Sequence, residues 1–89
     1  MCTTISSKHS LTGEAKGAGG WFPIQHLYLA YDHPNRIPAE HAVLIDFANE
    51  EGAGHRLAVE LSYGEAADLA RHILEVVEQA EQYESSTLA

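Results

Sequence analysis

Residues 56–80 read RLAVELSYGEAADLARHILEVVEQA, and the apolar period changes in the middle of that stretch. Before Ser62, Leu57, Val59 and Leu61 alternate with Arg56, Ala58 and Glu60, which is the period of a strand with one apolar face. After Ser62, the apolar positions Ala66, Leu69, Ala70, Ile73, Val77 and Ala80 recur at helical spacing and form one stripe. Asp68, Arg71, Glu75, Glu78 and Gln82 lie off it. Ser62 with Glu65 three residues later has the form of a capping box, so the helix is expected over 63–84, with 85–89 frayed.

Working back towards the N-terminus, 24–62 reads as a three-stranded antiparallel meander. In Ile24–Asp32, Leu27, Leu29 and Tyr31 share one face, and His26, Tyr28, Ala30 and Asp32 share the other. His33–Ala39 holds Pro34, Asn35 and Pro38 and reads as a turn. His41–Ala48 places Val43, Ile45 and Phe47 on its apolar face, and 49–54 reads as a hairpin loop. Residues 13–23, with four glycines and Pro23, read as a Gly-rich loop. The Thr- and Ser-rich segment 1–12 reads as a weak edge strand. The expected fold is therefore α+β: an antiparallel sheet of three to four strands with one C-terminal amphipathic helix packed on one face. A helix of about 30 Å matches a strand of about 26 Å, so it is expected to lie along the sheet and cover it.

One helix covers one face. The opposite face carries Tyr28, Ala30, Ala42, Leu44 and Ala58, with Trp21 and Phe22 nearby, and is too apolar to be left in water. A homodimer burying this face is the expected solution, and the N-terminal segment folding back over it is the alternative.

Eighty-nine residues make one domain with a small core, for which dimerisation is a help. The formal net charge is -8, from 13 acidic and 5 basic residues. That balance argues against a nucleic-acid backbone or an anionic membrane as partner, since both need clustered Lys and Arg. The single cysteine excludes an internal disulfide, and the first ten residues lack the apolar core of a signal peptide, so a cytoplasmic location is expected.

Six histidines are many for this length, and their placement points to a site. His33 ends one strand and His41 begins the next, both with the parity of the helix-side face. An antiparallel first strand brings Cys2 to the same end, where the helix also begins. Two imidazoles and a thiolate suit Zn²⁺ or another divalent transition metal, with a position left for water or a small-molecule ligand. A helix N-terminus favours the thiolate form of Cys2. Asp32 and Glu40, flanking the histidines, are candidates for a further ligand, a partner to a histidine, or a general base in a small metal-dependent enzyme. The plainer alternative is a pair of strand-end histidines that meet backbone and solvent. A second reading makes Cys2, after loss of Met1, an N-terminal nucleophile. Lys16–Gly20 is not a phosphate loop, because no Gly-Lys-Ser/Thr follows and no helix opens after it. Trp21 is read as a pocket wall on a closing loop or, more plainly, together with Phe22, as a core or dimer contact. His26 and His72 are read as structural or solvated, and His9 and His55 as strand-edge residues.

Met1–Thr3, Lys-Gly-x-Gly-Gly-Trp-Phe-Pro at 16–23, Asp32–Pro34, Pro38–His41 and Ile45–Phe47 together resemble a family of short bacterial proteins of unknown function. The resemblance covers most of the chain and departs at Thr4, where an aromatic residue is expected. It implies no mechanism, and it marks the same residues for testing.

Overall fold

The computed structural model describes residues 3–50 and 55–88, with side chains to 86. Four strands, β1 (Ile5–Gly17), β2 (Gly20–Asp32), β3 (Ala42–Ala48) and β4 (Arg56–Leu61), form one antiparallel sheet in the order β1-β2-β3-β4. The helix α1 (Tyr63–Leu88) follows at once. The fold is α+β, as the periodicities indicate. The helix start is also as read: the Glu65 amide donates to Ser62 Oγ at 3.1 Å, and the Ala66 amide to the Ser62 carbonyl at 2.9 Å. The helix extends to Leu88, past the expected end at 84.

The glycine-rich segment is not a loop. β1 and β2 form a long hairpin whose register runs from Ile5↔Tyr31 to Gly17↔Gly20, leaving Ala18 and Gly19 as the turn. Gly20 has φ +113°, a conformation that favours glycine. Gly17 serves packing instead: a Cβ there would stand 3.3 Å from Phe22 Cε1. Glycines that read as loop punctuation thus allow a turn and a close ring contact within a paired ladder. The first strand accordingly runs to Gly17, past the expected end at 12.

A register shift between Ser10 and Gly13 interrupts β1. Such an extra residue bends a strand and increases its twist. The sheet coils, and β1 approaches β4 although β2 and β3 lie between them in the ladder. The coil closes a small core. Ala15, Phe22 and Ile24 are buried and pack with Leu11, Phe47 and Leu57. Phe22, for which the sequence leaves a core or a dimer contact open, is 8% exposed and belongs to the chain's own core.

The helix does not cover the sheet as its length allows. It meets β3 and β4 near its start, where Val59 and Leu61 face Glu65, Leu69 and His72 across an open cleft. Leu69, Ile73 and Val77 of the stripe are exposed. The molecule extends 54 × 31 × 22 Å with a radius of gyration of 15.7 Å, against about 12 Å for a compact chain of this length.

Candidate functional site

The register Asp32↔Ala42 brings the ends of β2 and β3 together and makes His33 and His41 neighbours at the mouth of the strand pair. Ala42, fully buried, anchors this end of β3. The two imidazoles stack, with ring centroids 4.9 Å apart and planes inclined by 25°. His33 Nδ1 lies 2.8 Å from the Glu40 carbonyl. A carbonyl can only accept, so Nδ1 carries the proton, and in the neutral ring Nε2 carries the lone pair. The His33 amide donates to Asp32 Oδ1 at 2.8 Å, which sets the turn out of β2.

The stack continues inward. Tyr31 stacks on His41 at 5.5 Å, and Tyr63, the first residue of α1, meets Tyr31 edge-on at 6.5 Å. Four rings therefore run from the loop to the helix start in the order His33, His41, Tyr31, Tyr63. Beside Tyr31, Ile5, Leu29 and Val43 line an apolar groove open on the helix-side face.

Of the sequence-derived set, two residues adjoin. His33 and His41 come together, and the helix begins at the same corner. Asp32 holds a backbone amide, and Glu40 reaches His33 through its carbonyl. Cys2 lies outside the described residues. Among the described residues, no group of three or more His, Cys, Asp or Glu side chains is gathered closely enough to hold a metal ion.

Two polar arrangements escaped the sequence reading. The Glu60 carboxylate accepts three successive backbone amides, from Asn35 (2.5 Å), Arg36 (2.8 Å) and Ile37 (3.2 Å). The chain between β2 and β3 thus forms an anion-binding nest filled by the protein's own carboxylate. The Asn35 amide chiefly, aided by those of Arg36 and Ile37 and opposed by desolvation, holds the Glu60 carboxyl below its usual range. This grip lays the 35–37 segment beside Ala58 on the face away from the helix. On that same face Arg56 makes a two-pronged pair with Asp46, and the Lys8 ammonium sits 5.5 Å from the Tyr28 ring centre. The face expected to be covered by a second copy or by the N-terminal segment is thus partly covered by the 35–37 segment.

The second arrangement is His26, whose Nε2 lies 2.9 Å from Glu50 Oε1 and whose buried Nδ1 meets no hydrogen-bond partner among the described residues. Trp21 is 68% exposed near the hairpin tip, where the neighbouring Phe22 stacks on His55 at 5.7 Å. His72 pairs with Glu75 one turn along the helix, a solvated contact as read.

A family model described as a family of unknown function, DUF6295, matches residues 1–86. The chain belongs to that family. The match spans every strand and all but the last two residues of the helix, so the histidine corner and the Glu60 grip both lie within the DUF6295 region. No curated protein and no solved structure matches the chain. Among the described residues, no helix is long and apolar enough to cross a membrane.

Proposed function

We propose that the corner formed by His33 and His41 binds a divalent transition metal ion, Zn²⁺ or one like it, with Cys2 as the third ligand. The observation that carries this reading is the pairing of the two imidazoles at 4.9 Å, with His33 Nδ1 held by a backbone carbonyl. A hydrogen bond from the far nitrogen to a carbonyl is the usual way a ligating histidine is oriented and its tautomer set. In that tautomer Nε2 is the nitrogen of His33 that would serve as the ligand.

Cys2 is three residues from Ile5, and Ile5 pairs with Tyr31, two positions before His33. Three residues span about 10 Å at most, so the thiol is within covalent reach of the corner. Two imidazoles and one thiolate leave a fourth position for water or a small molecule, which is the arrangement of catalytic rather than closed structural zinc sites. A metal held there would supply an acidified water, for which Asp32 and Glu40, flanking the two histidines in sequence, are the candidate general bases. On this reading the chain is a small metal-binding domain that acts on, or senses, a small molecule.

The test is metal analysis of tag-free protein by mass spectrometry, beside titration calorimetry with Zn²⁺. About one equivalent per chain is expected, lost in His33→Ala, His41→Ala and Cys2→Ser alike. Unchanged zinc binding in the first two variants, or none in the unaltered chain, sinks the reading.

A further inference from the structure

We propose that the uncovered length of α1, from Leu69 to Val77, seats on the helix-side face of a second copy's sheet, and that the second copy's helix does the same in return.

Both halves of this contact lie open in one chain. On the helix, Leu69 is 42% exposed, Ile73 53% and Val77 46%. These are the residues of the stripe, the part of the helix surface free of Asp68, Glu75 and Glu78. A helix in water gains little from propensity alone, and its stability in a protein comes from packing an apolar face. From Leu69 to Val77 the stripe stays largely exposed among the described residues. On the sheet, the groove of Ile5, Leu29, Tyr31 and Val43 is the surface that this helix was expected to cover.

The surface area leaves room for a second copy. The chain exposes 6925 Å², whereas a compact monomer of 9.7 kDa exposes about 5,100 Å². The excess, about 1,800 Å² per chain, becomes about 3,600 Å² for two, within the range of obligate homodimers. A twofold exchange uses both open surfaces at once and closes on itself, leaving neither exposed. The lengths agree: Leu69 to Val77 rises about 12 Å, the length of about four strand residues, and β3 has seven. The contact does not rest on the metal reading, since neither His33 nor His41 takes part in it.

The experiment uses the full chain. Sedimentation equilibrium is expected to give twice 9.7 kDa. Nuclear Overhauser spectra filtered for contacts between isotopically labelled and unlabelled copies are expected to join the Ile73 and Val77 methyls to those of Leu29 and Val43 across chains. Ile73→Glu is expected to weaken self-association by about tenfold or more, while Glu75→Gln leaves it unchanged. Should Ile73→Glu fail to fold, the filtered spectra of the unaltered chain decide. A monomer in solution overturns the proposal. So do helix-to-sheet contacts confined within one chain, or a dimer whose cross-chain contacts lie elsewhere.

Discussion

At the hairpin end of the sheet, Phe22 and Ile24 are enclosed by Ala15, Leu11, Phe47 and Leu57. At the opposite end, a carboxylate grips three amides of the 35–37 segment and four aromatic rings stack in file. The first end is held by removing apolar area from water, which is indifferent to pH and tolerates little change of volume. The second is held by directed polar contacts, which respond to charge. A small domain that cannot build a large core can still order a loop in this way, because one ionised oxygen pair satisfies three backbone donors. The difference also places the candidate metal corner: it lies at the end ordered by hydrogen bonds, where side chains stay accessible.

The largest effect should come from breaking the hairpin end. Phe22→Ala removes the largest buried side chain of the core cluster, a change that costs about 3–5 kcal/mol in well-packed proteins. That is a large part of the whole stability of a domain this size. Urea unfolding followed by circular dichroism should show the variant largely unfolded without denaturant. A loss below about 1 kcal/mol would mean that the core lies elsewhere.

A smaller effect separates two glycines of the same strand. A methyl at Gly17 meets Phe22 at 3.3 Å, and one at Gly13 meets Ile24 at an ordinary 3.6 Å. Gly17→Ala should destabilise by about 1 kcal/mol through the displaced ring. Gly13→Ala should be neutral or stabilise by about 0.5–1 kcal/mol, by restricting the unfolded chain. Equal effects in urea titrations would show that Phe22 does not press on Gly17.

The subtlest test concerns the histidine end. The folded-state pKa of Glu60 is lowered, so its contribution is complete above the ordinary carboxylate range and is lost as pH falls through the folded value. Amide hydrogen exchange at 35–37 should therefore accelerate relative to unprotected controls as pH falls, while amides around Phe22 keep their protection. Glu60→Gln should show faster exchange at 35–37 already at neutral pH. Equal protection with and without the charge would mean that the loop is ordered by its prolines alone.

How far this could be read in advance differs by element. The strands from Leu27 to Leu61 and the cap at Ser62 were legible because their signals are local, with periods of two and 3.6 residues and an acceptor three positions from its donor. The hairpin at 13–23 was not, because glycine and proline mark turns by composition while a partner strand decides whether they pair. The His33–His41 pairing was legible because the two residues flank one short turn and share parity. Glu60 with Asn35, and His26 with Glu50, were not: each pair is separated by more than twenty residues and joined only by the register of β2, β3 and β4.

By itself the sequence determined the three apolar alternations between Ile24 and Leu61, the helix and its start, the acidic surface, and the two histidines that share a corner. These follow from periodicity and from charge, which need no knowledge of what lies opposite. Only the tertiary structure decided that the bent first strand coils the sheet onto Phe22, that Glu60 holds the loop, and that the helix runs past its own sheet. An apolar stripe specifies that it must be covered and leaves open by what, because burial depends on the surface area of whatever arrives and not on which chain supplies it.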